Sequence, residues 1–218
     1  KATLPNVEQV VHDIQQAGRQ ARFYNVNAAD PEKRKEVLDQ LEPALKQSSP
    51  PGQVMVLLHS LAFGTLKPYI AQDPKGVVNQ DQVEMTLDVM ANSLIYWTQE
   101  LFYRKLLGPG SRIFAMTSSG GSRVWPAYGA VSAAKAALES HMRQLALELA
   151  PHGITANTIR AGVTDTPALR KIPGNEQMME FAKIKNPHHR LTTPEDVAQA
   201  IATLSNSGTQ WITGNVIG

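Results

Sequence analysis

The chain of 218 residues contains no cysteine. That excludes a disulfide framework and thiolate chemistry, and it agrees with a reducing, cytoplasmic setting. One-sided charge is also missing. The 21 Lys and Arg face 19 Asp and Glu, the net charge is +2, and no block of like charge stands out. This argues against nucleic acid as the main partner. No apolar run approaches the length of a membrane span, and residues 1–20 lack a signal-peptide core, so no membrane insertion is expected. The three Trp are scattered and form no stacking platform, and no GxxxxGK phosphate loop occurs. The adjacent His188 and His189 do not make a spaced ligand set, so no metal site is expected. Internal repeats and low-complexity tracts are absent.

What is present is an ordinary globular composition, 42% apolar and 18% charged. The length suits one large α/β domain covering 1–218. Asn6 to Ala17 reads as an amphipathic helix, with Val7, Val10, Val11 and Ile14 on one face and Gly18 as its stop. Arg22 to Val26 reads as a short strand. Asp30-Pro31-Glu32 starts a second helix, with Asp as N-cap and Pro at the first helical position; Val37, Leu38, Leu41 and Leu45 make its apolar stripe. Val54 to Leu58 is unbroken and apolar, as expected of a parallel strand buried on both faces, and His59-Ser60-Leu61-Ala62-Phe63-Gly64 follows. Residues 65–82 form a loop, and a long helix is expected from Gln82 to Leu107.

The chain is organised around Ser111 to Thr166. Arg112 to Met116 reads as a strand that ends in the turn formers Thr117-Ser118-Ser119-Gly120-Gly121. Pro126 is expected to open a helix whose buried face carries Leu138, Met142, Leu145 and Leu149, ending at Gly153. Ile154 to Ile159 is a further strand, broken by Ala161-Gly162. Thr193 caps a last helix at Pro194, and Trp211 to Ile217 is expected as the last strand. Strands alternating with helices imply βαβ units and a parallel sheet, with ligands outside the carboxyl ends of the strands.

Tyr128 and Lys135 stand out on the central helix. Seven residues make about two turns, so both can face one side, roughly 10 Å apart along the axis if both are helical. A phenol and an ammonium so placed suit acid chemistry and positive electrostatics along one elongated ligand.

With these motifs in order, the chain resembles the short-chain dehydrogenase/reductase family, and within it the enoyl-acyl-carrier-protein reductases. Most of that family carries Tyr four before Lys, where this chain has Val131; the enoyl reductases place Tyr seven before, as Tyr128 and Lys135 stand. Ser118 lies where most members carry a catalytic Ser and many enoyl reductases a second Tyr. The family's helix Asn would fall at Met90, which counts against a standard ketoreductase. The resemblance implies an α/β, doubly wound, Rossmann-like parallel sheet that lacks its first strand-turn-helix-strand unit. It also implies a chain truncated at both ends, since neither the Gly-rich turn nor a closing Asp-Gly-Gly is found.

It further implies site residues. Tyr128, Lys135 and Ser118 would be catalytic, with Ser118 either assisting or lining the pocket. Asn25 and Val26 would lie against adenine. His59, Ser60, Leu61, Ala62, Met116 and Lys135, with the loop Ala161, Gly162, Val163, Thr164 and Thr166, would hold the cofactor. Residues 167–187 would form a substrate lid in which Met178 and Phe181 meet the acyl chain beside Tyr128 and Ser118. Arg170, Lys171, Lys183 and Lys185 would meet an acidic acyl carrier protein. NADP(H) is favoured, with Lys1 as the hint of a phosphate partner, and NAD(H) stays open. The implied activity is reduction of an enoyl thioester by a cytoplasmic homotetramer. Two alternatives stay open: another short-chain reductase acting on a ketone or 3-oxoacyl thioester, and a non-catalytic scaffold.

Overall fold

A computed structural model describes residues 4–218. Four parallel strands pair in the order β1 (Val56–His59), β2 (Arg112–Thr117), β3 (Thr155–Arg160) and β4 (Val216–Ile217). Their register aligns His59 with Ala115 and Thr117 with Arg160, so their carboxyl ends share one edge of the sheet. Around the sheet lie α1 (Leu4–Gln16), α2 (Pro31–Lys46), α3 (Gln80–Leu87), α4 (Ser93–Tyr103), α5 (Gly129–Leu149), α6 (Asn175–Lys185) and α7 (Pro194–Leu204). The architecture is the expected Rossmann-like α/β type.

The core follows the apolar patterns. Leu138, Met142, Leu145 and Leu149 of α5 are buried against Ile113, Ala115, Ile154 and Ala156 of the sheet region and against Leu94 and Leu101 of α4. Leu38 of α2 joins the same cluster, with Leu41 and Leu45 at its margin. The helix ends obey local chemistry. Asp30 accepts from the backbone N–H of Glu32 and Lys33, and Thr193 exchanges capping bonds with Asp196. Gly153 leaves α5's C-terminal turn at φ 68°, a left-handed conformation that suits glycine.

Several expectations are corrected. Arg22 to Val26 is not a strand: Val26 N–H bonds to Tyr24 O within the segment, and no strand among the described residues lies beside it. Residues 56–58 are not buried on both faces. Among the described residues β1 pairs on one side only, and Val56 and Leu58 remain exposed. The long helix expected from Gln82 begins at Gln80, because Asn79 and Gln82 form a reciprocal capping box. It is interrupted by a π-turn at Asp88–Asn92 and stops at Tyr103, followed by Lys105 at φ 59°. Pro126 does not open α5. Ala127 takes φ 59°, which breaks the path, and the helix starts at Gly129. Only Val216–Ile217 of the expected last strand pairs with β3, because a turn bond from Ile212 N to Thr209 O and Gly214 at φ 76° bend the chain before it.

Candidate active site

The strongest feature at the carboxyl edge of the sheet is Lys135. It lies on α5 and is only 6% exposed. Its Nζ donates to the carbonyl oxygens of Met116 at 2.7 Å and Leu61 at 3.4 Å, tying the ends of β2 and β1 to the helix. No carboxylate pairs with it among the described residues. Burial therefore lowers its pKa from 10.5 to about 8, since the charged form loses hydration. Two carbonyls satisfy two of the three ammonium protons, which leaves one for a ligand.

Tyr128 sits at the N-cap of α5, one step outside the helix. The expectation that both Tyr128 and Lys135 are helical is corrected accordingly. Its ring edge lies on Gly120, where an added Cβ would be 2.5 Å from Cε1. Ser118 reaches the same glycine: its Oγ accepts from Gly120 N–H at 3.1 Å and would lie 3.1 Å from that Cβ. The structure thus brings Ser118 and Tyr128 together across Gly120. Ser132 Oγ donates to Gly120 O and holds this turn against α5. Met90 is buried with Val131 and Ala134, and Tyr128 packs against this cluster.

His59 closes β1 and is buried. Ser93 Oγ donates to Val89 O, so it accepts from His59 Nε2 at 2.8 Å. That places the proton on Nε2 and leaves Nδ1 as a buried acceptor without a partner among the described residues. Burial first, and the Lys135 charge second, push the imidazole pKa from 6.5 down to about 4, so the ring is neutral at pH 7.

The loop after β3 carries Ala161, Gly162, Val163, Thr164 and Thr166. Thr192 seats on it: its N–H bonds to Val163 O at 3.2 Å, and its Oγ1 would lie 2.1 Å from a Cβ on Gly162. Thr164 Oγ1 donates back to Gly162 O, and Thr166 Oγ1 accepts from Leu169 N–H. Gly162, Val163 and Thr192 share a cleft of about 220 Å³ with Lys185 and Arg190.

Other residues expected at the site make no side-chain hydrogen bond to it among the described residues. Asn25 and Val26 lie in the exposed, irregular segment before α2. Ser60 and Ala62 are exposed beside Leu61. Phe181 is exposed on α6 in a shallow cleft with Glu176, Gln177, Glu180 and Ile184, and Met178 is half-buried on the same helix. Lys1 lies outside the described residues. Among the charged residues of 167–187, Arg170 pairs with Asp165 and Lys183 with Glu180.

Sequence reasoning missed four contributors: Ser93, Thr192, Trp125 and Tyr69. Trp125 Nε1 donates to Pro173 O at 2.9 Å and its ring lies against Gly174, tying the start of the 167–187 segment to the turn before Tyr128. Tyr69 rests on Gly129. Only a glycine at the first position of a helix, where Ala is the better helix former, hinted at that close approach.

The family model described as enoyl-(acyl carrier protein) reductase matches residues 3–218. The chain belongs to this family, a branch of the short-chain dehydrogenases/reductases. Among its relatives, an enoyl-acyl-carrier-protein reductase (NADH) of Aquifex aeolicus is 32% identical over 76% of this chain and 60% of its own length. The crystal structure of that organism's enoyl-acyl-carrier-protein reductase (NADH) superposes with a TM-score of 0.73 and 29% identity, over 87% of this chain and 70% of the other. An NADPH-dependent aldehyde reductase-like protein of Arabidopsis thaliana is 28% identical over 95% of this chain and 73% of its own length. The chain thus spans 60% of the Aquifex relative. In this chain Tyr128 heads α5, and Lys135 on that helix reaches the carboxyl ends of β1 and β2.

Proposed function

We propose that this chain is the catalytic part of an oxidoreductase that uses a nicotinamide cofactor to reduce the trans-2 double bond of an enoyl thioester. NADPH is the favoured cofactor and NADH the alternative. The thioester is carried by acyl carrier protein, and the protein works as a cytoplasmic homotetramer with 167–187 as its lid. The observation that carries the reading is Lys135: a buried ammonium held by two backbone carbonyls at the ends of β1 and β2, on the helix that Tyr128 heads.

The residues present suit a dinucleotide. Among the described residues Lys135 keeps one ammonium proton free and His59 Nδ1 is a buried acceptor with no partner, while Gly162, Val163 and Thr192 line a cleft of about 220 Å³ at the loop after β3. Lys135 would hold the nicotinamide ribose, and Ala161 to Thr166 would hold the carboxamide and phosphate. When bound, the cofactor supplies hydride to the β-carbon of the enoyl thioester.

The chain's own work is to stabilise the negative charge that develops on the thioester oxygen, to which the Tyr128 hydroxyl donates a hydrogen bond. That bond strengthens as charge grows, so it favours the transition state over the ground state. The Lys135 charge, little screened in its buried setting, supports the same site. Ser118, across Gly120 from Tyr128, lines the pocket or adds a second donor. The proton for the α-carbon comes from Tyr128 or from water.

A second reading, reduction of a ketone or 3-oxoacyl thioester, is favoured by the free hydroxyl proton of Ser118 beside Tyr128. The test is oxidation of NADPH and of NADH by the full-length gene product with crotonyl and acetoacetyl thioesters side by side. Turnover of the enoyl substrate alone supports the proposal; turnover of the ketone alone replaces it with the second reading. Binding of neither cofactor leaves the non-catalytic scaffold as the better account.

A further inference from the structure

The loop between β1 and α3 runs beside Tyr128, and two of its features have a common explanation. Its first part is anchored in the small apolar cluster behind the site. Gly64 is seated so closely that an added Cβ would lie 2.7 Å from Thr86 Cγ2 and 2.9 Å from Met90 Sδ. Leu66 packs with Met90, Val131 and Ala134, where Tyr128 also packs. Beyond this anchor the loop leaves Tyr69 half exposed, with Phe63 and Ile70 exposed nearby in sequence. The Tyr69 ring comes down on Gly129, the residue directly after Tyr128: a Cβ there would be 2.6 Å from Tyr69 Cζ and 2.8 Å from Cε2.

Gly129 is the first residue of α5. It has no positive φ to justify it, and Ala would favour the helix by up to about 1 kcal/mol. What glycine gives here is room for the ring. On the other side of Tyr128, Trp125 holds Pro173 and Gly174. The Tyr69 loop and Pro173–Gly174 thus both contact the turn and helix start that carry Tyr128.

We propose that Tyr69, seated on Gly129, is a specificity-determining residue whose ring forms a wall for the apolar acyl chain of the substrate. The inference rests on the enoyl-thioester reading above. Because the wall is the ring face, its effect grows with acyl length: small for crotonyl, larger for a trans-2-octenoyl thioester. A flat, half-exposed aromatic face buries apolar substrate surface at low conformational cost.

The test is a double-mutant cycle on the full-length gene product, using Tyr69→Ala, Gly129→Ala and both together, with Tyr69→Phe as the conservative control. Octenoyl KM should rise about tenfold in Tyr69→Ala, with crotonyl KM and kcat little changed. Gly129→Ala, whose methyl displaces the ring, should raise octenoyl KM to a similar degree while its melting temperature stays at or above that of the parent. The double variant should be no worse than Tyr69→Ala alone, and Tyr69→Phe should keep the parental KM. NADPH affinity should be unchanged throughout. Unchanged octenoyl KM in Tyr69→Ala, an equal rise for crotonyl, additive effects in the double variant, or a tenfold rise in Tyr69→Phe would each overturn the proposal while parental enoyl turnover stands. Absence of enoyl turnover in the parent protein would overturn both this inference and the reading beneath it.

Discussion

Lys135 Nζ donates to the carbonyl oxygen of Met116 at 2.7 Å, so a buried ammonium is held by the end of a strand and not by a carboxylate. Hydrogen bonds to neutral carbonyls do not fully replace lost hydration, and the depressed pKa records the deficit. The protein thus keeps, on the helix that Tyr128 heads, a charge that costs stability.

That cost has a pH signature. Below pH 8 Lys135 is protonated in the folded and unfolded chains alike, so the full cost is present. Between about 8 and 10.5 the folded lysine is neutral while the unfolded one still binds its proton, so stability rises with pH through that window. The whole effect is about 3 kcal/mol as an upper figure. Lys135→Met should therefore be as stable as the parent or more so at pH 7, and the parent should gain on it as pH rises to 10. The variant should also lose NADPH binding. Urea denaturation of both proteins across pH 7.5–10 measures the difference, and a constant gap would remove the assignment of the low pKa to Lys135.

His59 gives the opposite edge of the pH profile. Its folded pKa is depressed from 6.5 to about 4, so its contribution is complete above pH 6.5 and is lost as pH falls toward 4, where the unfolded ring binds a proton and the folded ring does not. The loss amounts to about 3 kcal/mol at most. His59→Gln keeps a donor for Ser93 without the titration. Its stability should fall less steeply between pH 6.5 and 4.5 than the parent's. Parallel acid limbs for the two proteins would show that His59 is solvated or already charged.

Gly64 should be intolerant of any side chain. An alanine methyl would meet Thr86 Cγ2 at 2.7 Å, Met90 Sδ at 2.9 Å and Val131 Cγ2 at 3.0 Å. Only the methionine can yield readily, so Gly64→Ala should cost about 1–3 kcal/mol by overpacking. A drop of several degrees in the melting temperature is the expected readout. Because the same cluster backs Tyr128, turnover should fall further than stability alone accounts for. An unchanged melting temperature would mean that the cluster is looser than these contacts imply.

Much of this arrangement was legible in the sequence wherever local rules decide. Asp30 before Pro31, Thr193 before Pro194 and the spacing of Leu138, Met142, Leu145 and Leu149 each specify their element through neighbouring residues alone. The elements that went astray are those decided by distant partners. Arg22 to Val26 has the composition of a strand, but a strand needs a neighbour to take its hydrogen bonds. Residues 56–58 are apolar as a two-sided strand should be, yet exposure depends on how many strands flank them. The site divides in the same way. Tyr128, Lys135 and Ser118 could be placed by motif and order. Ser93, Thr192 and Tyr69 touch the site from 34, 30 and 60 residues away in sequence, and no periodicity reports such contacts.

Gly162 offers the most direct probe of the loop after β3. A methyl there would lie 2.1 Å from Thr192 Oγ1 and 3.2 Å from Thr192 Cβ, so Thr192 must move or the loop must shift. Thr192 N–H also holds Val163 O, and a shift of the threonine would release that bond and let residues 162–164 drift. If this loop holds the cofactor, Gly162→Ala should weaken NADPH binding about tenfold or more. Thr192→Ala in the same chain removes the hydroxyl clash but leaves the Cβ contact, so it should restore affinity in part. Thr192→Ala alone should change affinity little. Fluorescence titration of NADPH into the parent and the three variants distinguishes the cases. Parental affinity in Gly162→Ala would show that the loop after β3 lies outside the cofactor's path, whereas loss without rescue would place the effect in the glycine's own backbone and not in its contact with Thr192.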